Sequence, residues 1–372
     1  MDATPRPITT PIVIFAFDRP HYLRRFCESL AAQQGVTLNQ RRIYLVQDGA
    51  VSPRSGVRYA EDAVLADSVA AFRAVFPRGQ VVPSQDNLGI AFNIRRGETL
   101  AFEALDAEWG YFFEDDLELG PAYLLMLERM RDAVAERPEV AYFAAYGEHR
   151  RPSDPDRPNH VWLDHHWGFA LRRAAWLRIS DWLAPYFEIL RRSDYQHRDH
   201  LAVFEFLRQQ EMAVSSSSQD ALKSVAAATL GLLRTMPDLC FGRYIGERGA
   251  SFSPERFRAL GFDRTPLITR TDIALPELTE ARASKLLADQ QAHYRRFRTE
   301  QLEPFLADYT RRHFTPTRLV DRAEVDGLYR LLLDRLPESE AVYEQNVGRR
   351  DLAGLRRDIL GSAEYRGRNA VR

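Results

Sequence analysis

The residues with the clearest chemistry in this sequence are three consecutive carboxylates, Glu114-Asp115-Asp116. They end the apolar run Gly110 to Phe113 and precede Leu117-Glu118-Leu119-Gly120-Pro121. Adjacent carboxylates repel one another unless a cation neutralises them. Oxygen ligands of this kind suit Mg²⁺ or Mn²⁺, which keep several waters and bridge to a substrate's phosphates. A helix start before Pro121 is the competing explanation, because acids there complement the macrodipole. Asp18 (in Phe17-Asp18-Arg19-Pro20) and Asp48 (in Gln47-Asp48-Gly49) also follow apolar runs. Acids at strand ends suit the base and ribose of a nucleotide, although singly each reads first as a cap or turn aspartate. Asn87-Leu88-Gly89 opens a helix in which Gly89 permits close backbone approach and Arg95 or Arg96 reaches for a phosphate. That pattern is not a dinucleotide fingerprint, and a plain helix start rivals it. Only Lys223 and Lys285 are lysines among 51 basic residues, so a pyrophosphate contact falls to arginine, metal or backbone.

The elements that must position these groups alternate in the first 150 residues. Strands are expected over Ile12 to Phe17, Ile43 to Gln47, Gln80 to Pro83, Gly110 to Phe113 and Val140 to Tyr146. Helices are expected over Tyr22 to Gln33 (with Asp18 as a cap and Pro20 in the first turn), Arg58 to Phe76, Gly89 to Leu105 and Pro121 to Glu136. Such alternation predicts an α/β fold, a largely parallel sheet covered by helices on both faces. Ligands of open α/β sheets bind at the carboxyl ends of strands, where Asp18, Asp48 and the triplet converge.

Further along, residues 150 to 160 are polar and proline-rich and read as a loop. Trp162 to Trp167 is aromatic and holds Asp164, His165 and His166. Aromatic faces stack on sugars, core packing accounts for the tryptophans equally, and adjacent strand histidines point to opposite faces, so one at most lines a site. A helix follows from Arg172 to Phe187. His197, Asp199 and His200 sit on a polar stretch and read as a solvated loop rather than a metal site. Ser215 to Ser218 is a serine run that looks flexible, before a helix starting near Asp220. Residues 276 to 313 are charged and helical, and 322 to 372 carry two or three short amphipathic helices. A hydrophobic share of 45% and a charged share of 28% are those of a soluble globular protein. A net charge of −1 provides no field for nucleic acid. The two cysteines, Cys27 and Cys240, read as buried thiols. No signal peptide and no apolar run of membrane-spanning length is seen, so a cytoplasmic protein is expected, with peripheral contact at the inner membrane left open.

The order Phe-Asp-Arg-Pro, Gln-Asp-Gly, Asn-Leu-Gly and Glu-Asp-Asp-Leu-Glu resembles the nucleotide-binding half of GT-A glycosyltransferases. It is similar to the N-acetylglucosaminyltransferase I family and its bacterial relatives over about residues 10 to 255, which implies a GT-A (Rossmann-like) mixed sheet covered by helices, followed here by a small all-helical C-terminal module. The resemblance implies that Asp116 holds Mn²⁺ or Mg²⁺ and that Asp18 and Asp48 bind uracil and ribose of a UDP-sugar. Arg19, Asn87, Gly89, Arg95, Glu114 and Asp115 complete the expected donor site. Ser218-Gln219-Asp220-Ala221-Leu222 with Leu233-Arg234-Thr235-Met236 resembles the family's Trp-Asp-Asp-Trp segment and following strand, which makes Asp220 the catalytic base. This chain departs by carrying Gln219 and Ala221, which puts the acceptor pocket in doubt. The implied activity is inverting transfer of a hexosyl or N-acetylhexosaminyl group to a saccharide acceptor, in bacterial surface polysaccharide synthesis. Expected domains are 1–265 (catalytic), 266–318 (helical linker) and 319–372 (a small helical module for docking or homo-oligomer formation). A nucleotidyltransferase on a similar sheet, or a non-catalytic carbohydrate-binding or scaffold protein, remains the alternative.

Overall fold

A computed structural model describes residues 4–151, 154–249, 253–314 and 319–369. Pro152 of the proline-rich loop and the extreme ends of the expected first and last domains lie outside these residues. The chain divides into two compact units, Met1–Leu302 and Glu303–Arg372.

The first unit has strands β1 (Arg6–Ile8), β2 (Ile12–Ala16), β3 (Val36–Leu38), β4 (Ile43–Gln47), β5 (Gln80–Pro83), β6 (Trp109–Glu114), β7 (Leu117–Leu119), β8 (Val140–Phe143), β9 (His160–Trp162), β10 (Gly168–Arg172), β11 (Leu233–Pro237) and β12 (Gly242–Tyr244). Its helices are α1 (Pro20–Ala31), α2 (Asp62–Val75), α3 (Ile90–Thr99), α4 (Tyr123–Ala133), α5 (Arg173–Trp182), α6 (Ala184–Leu190), α7 (His200–Arg208), α8 (Gln219–Thr229), α9 (Pro254–Ala259) and α10 (Glu280–Arg296). Eight strands form one sheet in the order β5-β4-β2-β6-β10-β8-β11-β9. The four from β5 to β6 run parallel, whereas β10 is antiparallel to both β6 and β8, and β9 is antiparallel to β11. The fold is α/β with a mixed sheet and helices, as the resemblance implied; only the strand–helix alternation taken by itself predicted a more parallel second half.

The central strands owe their place to composition. Ile12-Val13-Ile14-Phe15-Ala16 is buried throughout, as are Tyr111, Phe112 and Phe113 of β6. β-branched and aromatic side chains on both faces suit a strand covered by helices twice over. Pro20 occupies the first turn of α1, where its missing N–H is no loss, but the cap position belongs to Arg19 rather than Asp18. The helix expected from Gly89 to Leu105 changes to a π-turn over Leu100–Ala104, and the one expected from Arg172 to Phe187 is two helices, α5 and α6.

Residues beyond 265 are not all linker. Helix α10 packs on α8 and β11. Gln290, fully buried, donates from Nε2 to the Arg234 carbonyl at 2.8 Å. Arg234 has no exposed surface and donates to the Leu163 carbonyl (2.9 Å), Ser224 Oγ (2.7 Å) and Tyr294 Oη (2.9 Å). Arg234→Leu leaves those acceptors unmatched, and a loss of about 3 kcal/mol is expected. Urea unfolding with an unchanged m-value measures it; a loss below about 1 kcal/mol contradicts this reading of the side chain.

The second unit continues from helix α11 (Leu302–Phe314), which starts at the boundary, through α12 (Arg322–Leu333), α13 (Glu340–Asn346), α14 (Leu352–Gly361) and α15 (Ala363–Asn369). Asp321 and Glu324 form a reciprocal capping box at the start of α12. Val320, Val325, Leu333, Leu355 and Ile359 make a small core of its own. Among the described residues no helix is long and apolar enough to cross a membrane.

Candidate functional site

Three parallel strands bring the acids to one edge. In register, Phe15 pairs with Glu114 and Ala16 with Gln47, so the segments after β2, β4 and β6 leave the sheet together. Asp115 and Asp116 are each 2% exposed. Arg19, on the segment leading into α1, donates to Asp116 Oδ2 at 2.7 Å and is ion-paired with Asp115 Oδ1. The Tyr244 hydroxyl donates to Asp116, and Ile245 N–H donates to its carbonyl at 2.8 Å. Gly246 leaves room for this arrangement: a Cβ there would stand 2.6 Å from Asp116 Oδ2 and 2.4 Å from Tyr244 Oη.

Charge dominates the local chemistry. Burial pushes Asp115 up to about 7, with Arg19 opposing and the Asp116 charge adding. Burial, then Asp116 and Asp220, hold Glu114 well above the usual carboxylate range. Burial alone would lower Arg19, but Asp115, Asp116 and Glu114 outweigh it and raise its pKa. One guanidinium thus faces three carboxyl groups. Asp115 Oδ2 and Asp116 Oδ1 remain buried without a hydrogen-bond partner. Buried acceptors beside excess negative charge are a donor set that fits a hard divalent cation. Among the described residues no group of three or more His, Cys, Asp or Glu side chains converges as a metal site. The fit therefore concerns the free oxygens of Asp116 and Asp115, not a cage of three acids.

Asp220 approaches from a different element. Ser218 caps α8 through its Oγ, which accepts from Ala221 N–H, and Asp220 lies in the first turn. Its side chain keeps 37% exposure, and its Oδ1 is 3.9 Å from Nδ1 of the buried His166. The Gln219 amide donates to the same oxygen. Burial pushes Asp220 up to about 6, with Lys223 opposing and Glu98 adding. Lys223 in turn pairs with Glu98 at 2.5 Å, deep in the core. Asp220 also raises the pKa of Glu114, the last residue of β6.

Other expected site residues stand elsewhere. Asp48 is 4% exposed; its Oδ1 accepts from Gly49 N–H (3.0 Å) and Leu88 N–H (2.8 Å), and Oδ2 from Gly89 N–H (3.0 Å). Burial raises its pKa against those three amides. Asn87 Nδ2 donates to the Gly49 carbonyl at 2.9 Å. Gly89 has φ +77°, and a Cβ there would meet Tyr195 Cβ at 2.8 Å. Together Asp48, Asn87 and Gly89 brace the loop that starts α3, so the carboxylate expected at a ribose is engaged by backbone. Arg95 lies 4.6 Å over the Phe187 ring, and Arg96 donates to the carbonyls of Gln47 (2.8 Å) and Val82 (3.0 Å). The cation at the acids is Arg19 instead. Asp18 lines a groove of about 380 Å³ with Arg58, Tyr59, Ala60, Glu61 and Val64.

The aromatic stretch divides as alternation requires. His165 stacks on Trp167 at 4.1 Å, which stacks on Tyr244 at 4.5 Å, while His166 turns towards Asp220. Trp162 packs edge-on against His293 and Tyr294 of α10, and Asp164 is exposed. The serine run is tied down rather than loose: Ser217 Oγ accepts from Arg198 Nε (3.1 Å) and contacts His200 Nδ1 (2.7 Å). Asp199 caps α7. Cys27 and Cys240 are free and buried. Sequence reasoning missed Tyr244, Gly246 and the Lys223–Glu98 pair. None had a local signal: Tyr244, for one, reaches the triplet only because its strand pairs with Leu117–Leu119 across more than a hundred residues.

In comparisons with known proteins no family model matches the chain, and no curated protein matches it. Among solved structures, S. aureus TarS 1-349 is similar with a TM-score of 0.36 and 12% identity, over 80% of this chain and 74% of that one. The longer S. aureus TarS gives 0.37 and 13% over 89% of this chain, which spans 50% of the TarS chain. A CMP:2-keto-3-deoxy-manno-octonic acid synthetase complexed with CTP gives 0.28 and 11%, over 47% of this chain and 78% of that one. Likeness this slight assigns nothing, and the site stands on this chain's own residues.

Proposed function

We propose that the chain is a GT-A-type glycosyltransferase that moves a sugar from a nucleotide-sugar donor, a UDP-sugar, to a saccharide acceptor with inversion. The observation that supports it is the pair of buried Asp115 and Asp116 oxygens that lack partners beside Arg19, with Asp220 adding its charge at Glu114. Asp116, with Asp115 beside it, would hold Mn²⁺ or Mg²⁺ through the buried oxygens that lack partners. A divalent cation bound there supplies Lewis-acid neutralisation of the pyrophosphate. Arg19 and Tyr244 fix the rotamer of Asp116, and Arg19 adds positive charge where phosphate oxygens approach. Asp18 and the adjoining groove are the place for the base and ribose. Asp220 accepts the proton of an acceptor hydroxyl as that oxygen attacks the anomeric carbon from the face opposite the leaving nucleotide. Burial first, then the Asp116 and Asp220 charges, raise the pKa of Glu114 and so disfavour a further full negative charge near Asp220.

The setting we propose is bacterial surface polysaccharide synthesis in the cytoplasm or at the inner membrane face, with the C-terminal helices as a docking or oligomerisation module. A nucleotidyltransferase usually carries a Gly-rich, basic loop after its first strand; here Arg19 is turned onto Asp115 and Asp116. Thermal melts with a panel of nucleotide sugars, with and without Mn²⁺, test the proposal. One nucleotide class should raise Tm only with metal, by an amount worth about 2.7 kcal/mol at a ligand concentration of ~100 Kd. Melts unmoved by every nucleotide sugar exclude the transferase, and stabilisation by nucleoside triphosphates alone turns the assignment to nucleotidyl transfer.

A further inference from the structure

His166 is 2% exposed and precedes β10 by two residues. Its ring stands edge-on to Tyr142 of β8 (5.2 Å, 81°) and Phe169 of β10 (5.3 Å, 90°), which fixes its plane. Both ring nitrogens lack a hydrogen-bond partner, and so does the buried Tyr142 hydroxyl. A buried imidazole without partners is costly, and natural cores rarely keep one. The group directly before it is Asp220, whose Oδ1 lies 3.9 Å from Nδ1. That gap is about an ångström beyond a good hydrogen bond. Asp220 is 37% exposed, so it is this side chain, with the Gln219 amide that donates to the same oxygen, and not the packed ring that has freedom to close the gap.

We propose that His166 is a positioning residue for Asp220, donating its Nδ1–H to carboxylate Oδ1 and leaving Oδ2 free for the acceptor hydroxyl. This inference rests on the transferase reading for its catalytic consequence, but the contact itself does not. The groups facing the imidazole favour its neutral form. Burial comes first, followed by Arg234 of β11, Lys223 of α8 and the adjacent His165, and all hold its pKa well below the usual histidine value. A neutral ring is a suitable donor here, because it stabilises the carboxylate without supplying a proton that would neutralise it. The remaining nitrogen, Nε2, becomes an acceptor, the role that the unpartnered Tyr142 hydroxyl can satisfy.

The test has an arm that needs no turnover. Asp220 is titrated by ¹³C NMR of the carboxyl-labelled protein, its resonance assigned by its loss in Asp220→Asn. In His166→Phe, which keeps an aromatic ring in the slot, the midpoint should rise by about one pH unit. His166→Asn, whose amide can donate from a similar position, should restore most of the shift. An unmoved midpoint in a folded Phe variant overturns the proposal. Should that variant not fold, long-range ¹H–¹⁵N spectra of the wild-type protein decide. A neutral ring protonated at Nδ1 supports the proposal, and one protonated only at Nε2 overturns it. In transfer assays His166→Phe should lower kcat about tenfold or more with the donor KM unchanged, and move the acidic limb upward. An NMR shift in a protein that transfers no sugar would uphold the pairing while removing the base role of Asp220.

Discussion

Asp220→Asn is expected to lower sugar transfer by about 10³-fold, within the range that a positioned general base contributes. Metal-dependent donor binding should stay intact, since Asn keeps the shape and Asp116 is untouched. Wild-type kcat should fall as pH drops through about 6, where the carboxylate takes up its proton. At one unit below that midpoint about a tenth of the molecules retain the base. An ordinary exposed aspartate would hold its activity to well below pH 5. The sign for stability is opposite. A carboxyl whose folded pKa is raised stabilises the fold while protonated, and that contribution disappears as pH rises through its folded value. Asp220, at about 6, and Asp115, at about 7, both act this way. The Asn variant should therefore melt no lower than wild type at pH 7, which separates lost chemistry from lost fold. Wild-type rates at Asp220→Asn would eliminate the base assignment.

The second large effect is at Asp116. Asp116→Ala should cost at least about 10³-fold in transfer, corresponding to the several kcal/mol that a bound cation supplies to a developing negative charge. Its direct readout is Mn²⁺ titration by calorimetry in the presence of nucleotide, where the heat of binding should vanish. Removing Asp116 also releases Arg19 Nη1 and the Tyr244 hydroxyl. Asp116→Asn is the control that keeps both contacts partly satisfied, and it should lose metal without losing stability. Full metal-dependent turnover in either variant would refute the role of Asp116.

Much of the strand skeleton was legible because it is written in local composition. Runs such as Ile12 to Ala16 and Trp109 to Phe113 can be satisfied only by burial on both faces, and their ends were found to within a residue or so. The antiparallel turn of β10 was not legible, since Gly168–Arg172 has the same apolar character whichever way it runs. The helix expected at Gly89 was found, with Gly89 at its N-cap. Whether Asp48 meets a ligand or three amides depends on loop closure between residues forty positions apart. Arg19 shows the same limit from the other side. Nothing in Asp18-Arg19-Pro20 says that its guanidinium will span to Asp115 and Asp116, which are distant in sequence and adjacent only across two paired strands.

Sequence alone determined that acids cluster at strand ends in an α/β protein, because hydrophobic period and residue type are local properties. It also marked Asp220 as a candidate in the first turn of a helix. Only the tertiary structure decided which acids share a field, which are engaged by backbone, and which keep free oxygens. Those outcomes follow from burial and from charge–charge distances of a few ångströms, set by the pairing of β10 with β6 and β12 with β7 and by the packing of α8 on β11. They carry Glu114, Asp115 and Asp220 upward in pKa together, and they set the neutral His166 beside Asp220.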